Sequence, residues 1–300
     1  EEFRGRVEAE FAALDPAAIA ADPDEVARIE AYFAPPDFLP LPQTSQRLAA
    51  DRARDAAFDR WVETNTFPHR QPGYAAVTVS LKPVGGVPGD ATSDQMRAVA
   101  DLADAHSFGE IRVSHHQNLI LPHVRQDALH ALWKGLVAAG LAEANAGLIT
   151  DIIACPGLDY CALATARSIP IAQAISRRFG SAERQREIGE LGIKISGCIN
   201  ACGHHHVGHI GILGLEKSGQ ESYQVTLGGD ATENAAIGQL LGPGITAAEV
   251  PDAIERLVQV YLKARQPDET FAEAVRRLGI EPFKAGFLGS QPAEAAHAAA

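Results

Sequence analysis

The sequence contains no run of about 18 apolar residues, so nothing in it reads as a membrane-spanning helix. Its N-terminus, EEFRGRVEAEF, lacks the apolar stretch of a secretory signal and reads as a charged helix. A basic excess is missing too: 26 Lys and Arg stand against 38 Asp and Glu, a net charge of −12. Nucleic acid and anionic membranes are therefore not expected partners, because both require cations that neutralise phosphate. A small anion is still admitted, since a local basic pocket leaves no trace in the net charge. Cysteine is scarce, at four residues. Without a signal the expected location is cytoplasmic, where thiols stay reduced, so the four read as ligands or free thiols rather than disulfides. No internal repeat is visible. The chain opens without methionine, partway into an amphipathic pattern (Phe3, Val7, Phe11, Leu14), and so reads as a fragment or a processed product. What is present is ordinary core material, 46% hydrophobic over 300 residues, enough for about two domains.

Residues 1–66 read as a helical linker segment, with helices in PDEVARIEAYF and AADRARDAAFDRWVETN on either side of PPDFLPLP. From Pro72 the pattern changes. GYAAVTVSL is a β-branched run, and Thr92 or Ser93 can cap a helix through SDQMRAVADLADAHS. EIRVSH and NLILPHV follow as short strands, then a helix RQDALHALWKGLVAAG that ends at Gly140. The order β, α, β, β, α over 67–140 predicts most of a ferredoxin-like split βαβ unit. The intervening KPVGGVPGD lacks the Gly-Lys-Ser/Thr ending of a phosphate loop and reads as a turn before a helix. Farther on, IAQAISRRF and AERQREIGEL read as helices, IKIS as a strand, and HIGILGLEK with SYQVTLGG as a hairpin around Ser218-Gly219. A long helix AAEVPDAIERLVQVYLKARQ and a shorter one follow, and QPAEAAHAAA reads as a disordered tail.

The chemistry-bearing residues concentrate in SGCINACGHHHVGHIG, where two cysteines, four histidines and four glycines fall within sixteen positions. The other two cysteines lie upstream in ACPGLDYCALATARS. The spacing is Cys155-x5-Cys161, thirty-six residues, then Cys198-x3-Cys202. Structural zinc favours two to four residues inside a cysteine pair, so x5 is wide for it. A four-iron four-sulfur cluster is larger and takes four thiolates, which suits loops of five and three. Gly157, Gly197 and Gly203 would let the backbone approach such a core. Zinc held by cysteines with some of His204, His205, His206 and His209 stays an alternative, as do four separate thiols.

With SGCINACGHHHVGHIGILG around its second pair, this C-x5-C and C-x3-C arrangement resembles the hemoprotein of siroheme-dependent sulfite and nitrite reductases. The resemblance implies that Cys155, Cys161, Cys198 and Cys202 ligate a four-iron four-sulfur cluster, with Cys202 also bridging to the iron of siroheme. It implies an α+β protein: a ferredoxin-like repeat over 67–140, the second of two in the family, followed over 141–300 by an α/β iron-sulfur and siroheme-binding domain with C-terminal helices. The first repeat, which carries most substrate-binding basic residues, has no counterpart here, so the isolated chain is expected to turn over little. The sequence departs from the family at Ile199, often proline, and at Ala201, often glycine or small and polar. Asn200 matches a common asparagine and is expected to contact the macrocycle.

Siroheme bears eight carboxylates and the substrate is an anion, so the resemblance implies a basic site. Candidates are Arg112, His115 and His116 in RVSHHQN, Lys194 in IKIS, and His204, two residues past the bridging cysteine. A solvated strand charge is the plain alternative for Arg112 and Lys194. The implied reaction is six-electron reduction of sulfite to sulfide, or of nitrite to ammonia, with electrons from ferredoxin or an NADPH flavoprotein. A cobalamin-pathway precorrin monooxygenase relative and a non-enzymatic iron-sulfur or zinc module are the competing readings.

Overall fold

The computed structural model describes residues 1–289 and falls into two compact units, 1–40 and the chain from Leu41 onward. The tail QPAEAAHAAA lies outside the described residues. In the first unit, α1 (Glu2–Ala12), α2 (Pro16–Ile19) and α3 (Pro23–Ala31) are short, and none buries a residue. The carboxylates of Asp15 and Asp22 cap the latter two, each followed by proline at the first helical position, where no amide hydrogen is needed.

The second unit opens with α4 (Gln46–Arg54) and α5 (Ala56–Asn65). Sequence periodicity reads these as one helix. Asp55 divides them: its backbone is extended, and its carboxylate accepts the amide hydrogens of Ala57 and Phe58 as a new N-cap. Nor is this segment a linker up to residue 66, because Phe58 and Trp61 are fully buried in the core that follows.

That core lies beneath a four-stranded antiparallel sheet. Its elements are β1 (Thr66–Pro68), β2 (Tyr74–Val79), α6 (Ser93–His106), β3 (Arg112–Val113), β4 (Leu119–Arg125) and α7 (Leu129–Ala138). The strand order is β1-β2-β4-β3, so β4 lies between the two strands that α6 connects, the split βαβ arrangement. Strand β1 is an addition that the sequence pattern does not announce. Alternate residues of β2 and β4, Val77, Val79 and Leu121, face Leu129, Leu132 and Leu136 of α7 and Val99 of α6. Thr92 and Gln95 form a reciprocal capping box at the start of α6.

The remaining elements are β5 (Ile153–Ala154), α8 (Ile169–Arg178), α9 (Ala182–Ile188), β6 (Ile193–Ser196), β7 (Ile210–Lys217), β8 (Gln220–Leu227), β9 (Gln239–Leu240), α10 (Val250–Ala264), α11 (Phe271–Leu278) and α12 (Glu281–Leu288). They build a second sheet of order β5-β6-β7-β8-β9, parallel from β5 to β7 and antiparallel beyond. All four residues of β6 are buried, as befits an interior parallel strand. Ser218 and Gly219 both take positive φ, 54° and 80°, which gives the β7–β8 hairpin its two-residue turn. Helix α10 buries Ile254, Leu257, Val258 and Tyr261 against the sheet core. Two short helices follow it rather than one, separated at Gly279 (φ 72°). Among the described residues, no helix is long and apolar enough to cross a membrane.

A buried polar network joins the two sheets. Lys82 Nζ donates to Asp151 Oδ1 at 3.0 Å and to the His116 carbonyl at 2.7 Å. Asn118 Nδ2 donates to the same carboxylate oxygen at 3.0 Å, and the Gly147 amide donates to Asp151 Oδ2 at 3.0 Å. Both ion-pair side chains are at most 4% exposed.

Candidate functional site

Both cysteine pairs begin at the same end of the second sheet. β5 and β6 are adjacent and parallel, with Ala154 opposite Ile195, so the chain leaves the sheet there on both strands. Cys155 follows β5 directly, and its amide donates to the Ile195 carbonyl at 3.1 Å. Cys198 follows β6 by one residue. Loops at the carboxyl end of parallel strands are a habitual place for ligands, because the strands hold them in register while leaving them uncovered.

Backbone contacts press the two loops together. The amides of Thr165 and Ala166 both donate to the Gly197 carbonyl at 2.9 Å, and the Gly197 amide donates to Cys155 Sγ at 3.0 Å. Ser168 Oγ lies 3.3 Å from the same sulfur. Gly157 and Gly197 serve this contact, and Gly203 lets its loop close against β6. A Cβ on Gly197 would lie 2.5 Å from the Ala166 carbonyl and 3.0 Å from Gly157 Cα. One on Gly157, already at φ 58°, would meet the Ser168 amide at 2.6 Å, and one on Gly203 would overlap the Ile195 carbonyl. These glycines let backbone approach backbone.

The four thiols are graded in exposure: Cys155 and Cys198 buried, Cys161 half-buried, Cys202 exposed. In the second loop Ala201 and His204 both adopt left-handed backbone, φ 56° and 54°, which turns the chain tightly around Cys202. Asn200 and His204 are exposed on this loop. His205 points inward, 2% exposed, and its Nδ1 has no hydrogen-bond partner among the described residues. Burial and then the neighbouring His206 lower its pKa to about 4, so the ring is neutral at pH 7. His209 is held by the Gly192 amide, which donates to its Nδ1 at 3.1 Å, and burial is the main cause that lowers its pKa.

The open face of the first sheet forms one wall of a cleft of about 800 Å³. Arg112, His115 and His116 line it, and Asp151 and Glu190 approach from the second half. The His115 and His116 rings meet edge to face at 4.1 Å. Burial, and next the charge of His115, lower the His116 pKa. Lys194 is buried on β6, and desolvation lowers its pKa. Its charge also depresses both His116 and His209, so it lies in reach of each. The structure thus brings Arg112, His115, His116 and Lys194 to one region, and sets Asn200 and His204 on the Cys202 loop, outside the lining of the cleft.

The cleft is not strongly basic, contrary to the sequence-based expectation. Glu63, Asp151 and Glu190 line it beside Arg112, and the Arg112 guanidinium is already engaged by Glu110 at 2.6 Å. Sequence reasoning also missed Lys82, Gln117, Asn118 and Asp151. Their partners lie 33 to 69 residues away along the chain, so no local pattern marks them.

A single metal ion finds no ready site, since among the described residues no three His, Cys, Asp or Glu side chains come close enough together to hold one. The donor set suits a larger group better. Four thiols on two abutting loops, one already accepting a backbone N–H, match the ligation and the N–H···S bonding of an iron-sulfur cluster. A macrocycle fits the cleft in volume, while the charge of the lining supplies only part of what eight carboxylates require.

A split βαβ layer joined to a mixed sheet, with paired thiols at its carboxyl end and a large cleft alongside, defines a protein of the redox-cofactor class. Residues 67–139 match the nitrite/sulfite reductase ferredoxin-like half domain, and residues 146–292 match the nitrite and sulphite reductase 4Fe-4S domain. The chain belongs to the nitrite and sulfite reductase family, whose cofactors are a four-iron four-sulfur cluster and siroheme. It is 31% identical over 209 residues to sulfite reductase [ferredoxin] 2 of Mycolicibacterium paratuberculosis, covering 66% of this chain and 38% of that protein. Ferredoxin–nitrite reductase of Synechococcus elongatus is 29% identical over 199 residues, covering 64% of this chain and 37% of its own. The solved structure of the Mycobacterium tuberculosis NirA protein superposes with a TM-score of 0.59 at 27% identity, over 73% of this chain and 41% of that one. The chain therefore spans roughly two fifths of the length of the relatives it matches.

Proposed function

We propose that this chain is the cluster- and siroheme-bearing portion of an oxidoreductase that takes sulfite to sulfide in a six-electron reduction. The observation that carries the reading is the pairing of Cys155 and Cys198 at the ends of neighbouring parallel strands, each opening a loop that ends in a second thiol. Nitrite reduction to ammonia is the second reading, because ferredoxin–nitrite reductases are among the relatives at similar identity.

In this assignment Cys155, Cys161, Cys198 and Cys202 would hold the cluster, and the exposed Cys202 would be the thiolate within reach of siroheme as well. When bound, these cofactors supply single electrons and an iron site for the anion. The protein's own part is placement and charge. The Gly197 amide donates to Cys155 Sγ and fixes that thiolate's orientation. Asn200 and His204, exposed on the loop around Cys202, would hold whatever part of the macrocycle reaches beyond the cleft lining. Arg112, His115 and His116 bind anionic groups in the cleft. Lys194 holds its proton at Nζ less tightly than an exposed lysine, because burial penalises its charge, and this suits it to proton delivery. The further cations demanded by the carboxylates and the substrate belong to the part of the relatives that this chain does not span. Ferredoxin is the proposed electron donor, supported by its appearance in the names of both sulfite and nitrite reductase relatives.

The test is anaerobic production of the chain, with an absorption spectrum and counts of iron, labile sulfide and zinc, followed by sulfite and nitrite turnover in the reconstituted enzyme with reduced ferredoxin. A siroheme band with iron and sulfide, and a higher kcat/KM for sulfite, is the expected result. Zinc without sulfide would overturn the cofactor assignment, and turnover of nitrite alone would replace the substrate.

A further inference from the structure

The turn that carries His115 and His116 is tied to the first cysteine by one side chain, Gln117. Its amide makes two hydrogen bonds to a single residue: Nε2 donates to the Ala154 carbonyl at 2.7 Å, and Oε1 accepts from the Ala154 amide at 3.1 Å. Ala154 is the last residue of β5 and the one before Cys155. In a parallel pair, alternate residues direct their amide and carbonyl to opposite sides. The Cys155 amide reaches β6, so those of Ala154 face the other way, off the edge of the sheet. Ala154 is 4% exposed, so water does not serve these groups. Gln117 takes the place of a missing neighbouring strand.

The rest of the turn is arranged to deliver that amide. Gln117 itself adopts left-handed backbone (φ 58°), which a side chain of this type rarely does without compensation. Its backbone N–H donates to the Ser114 carbonyl at 3.0 Å, and the Ser114 backbone N–H donates to the Asn118 carbonyl at 2.9 Å. On either side, Lys82 holds the His116 carbonyl and Asn118 holds Asp151. Gly89, at φ 84°, gives Gln117 room: a Cβ there would stand 3.2 Å from the Gln117 Cβ. Three successive residues of the first half are thus fixed by buried groups, and the middle one grips the strand that ends in a thiol.

We propose that Gln117 is a positioning residue that sets the Cys155 loop and the His115–His116 wall of the cleft as one rigid piece. The consequence for a bound cofactor rests on the function proposed above. The mechanical claim does not, and it is tested on the chain without cofactor.

The experiment is residue-resolved amide exchange at Ala154, together with the alkylation rates of Cys155 and Cys202, in wild type, Gln117→Leu and Gln117→Glu. In Gln117→Leu both bonds are gone, so exchange at Ala154 and alkylation of Cys155 rise at least about tenfold while Cys202 is unchanged. In Gln117→Glu the carboxyl group accepts from the Ala154 amide at any pH, but donates to the Ala154 carbonyl only when protonated. Its protection, divided by that of wild type at the same pH, therefore recovers as pH falls from about 8 to about 5. His115, His116, Lys82, Asp151 and Lys194, the titratable neighbours of the turn, are common to all three proteins, so their own titration cancels in that ratio. Gln117→Leu with wild-type protection, or a Gln117→Glu ratio that does not change with pH, overturns the proposal. The second readout stands even if Gln117→Leu does not fold.

Discussion

Lys82→Met is the substitution that most directly probes the joint between the two halves. Methionine matches the four-atom apolar stem of lysine and removes the ammonium. Asp151 then stays buried with its charge opposed only by the Asn118 and Gly147 donors, and the His116 carbonyl loses its partner. Breaking a buried ion pair from one side costs about 3–5 kcal/mol, because the surviving charge is uncompensated. Burial already lowers the Lys82 pKa, with Asp151 opposing that effect, so the pair is held against a real desolvation cost. Removing both charges should therefore be milder than removing one. Lys82→Met/Asp151→Asn removes the stranded charge but keeps an acceptor for only one of the Asn118 and Gly147 donors, so it is expected to recover about 1 kcal/mol. Urea unfolding followed by tryptophan fluorescence measures this directly. Both tryptophans, Trp61 and Trp133, pack in or against the core of the first half. The single variant should also melt about 10 °C lower. A loss below about 1 kcal/mol in Lys82→Met, or a double variant no more stable than the single one, would refute the reasoning.

Other perturbations read other parts of the molecule. His205 has a native pKa of about 4 against about 6.5 when unfolded, so the unfolded chain takes up a proton that the native one refuses. Stability is complete above pH 6.5 and declines as pH falls toward 4, by about 3 kcal/mol; His205→Phe should flatten that part of the profile, and an unchanged slope would show that the burial argument fails. Gly203→Ala drives a methyl into the Ile195 carbonyl and is expected to prevent the Cys198–Cys202 loop from closing, seen as loss of cluster loading with the first half still folded. Cys202→Ser in the reconstituted enzyme should lower iron and sulfide content and abolish spectroscopic coupling to siroheme; coupling that survives would remove Cys202 from the bridging role. Trp61→Ala is expected to cost about 3–5 kcal/mol, measured by urea unfolding followed by circular dichroism, although sequence reading assigns its helix to a linker.

Much of this protein is legible without its fold wherever the determining forces act over a few residues. Thr92 with Gln95, and Ser218 with Gly219, announce a capped helix and a hairpin because the interacting groups lie within three positions of each other. The four cysteines sort into pairs by count and spacing alone, and their chemistry narrows what they could hold. Asp55 was legible in principle as an N-cap, but the helical periodicity running through it masked the break.

Tertiary structure decided what depends on groups far apart in the chain. That α5 belongs to the core and not to a linker follows from Phe58 meeting the helix residues His130 and Trp133, with Trp61 buried in the same cluster, a pairing no local pattern encodes. Gly157 and Gly197 are required where the two cysteine loops touch, a contact between segments about 40 residues apart. Lys82 and Asp151 are 69 residues apart and Gln117 and Ala154 are 37 apart, yet these contacts fix the relation between cleft and thiols. The sequence alone determined the ligand types and the local turns, since these are set by side-chain chemistry and short-range sterics. Where the ligands stand, and which polar groups must be paired to hold them there, was decided by burial, which exists only once distant segments have packed.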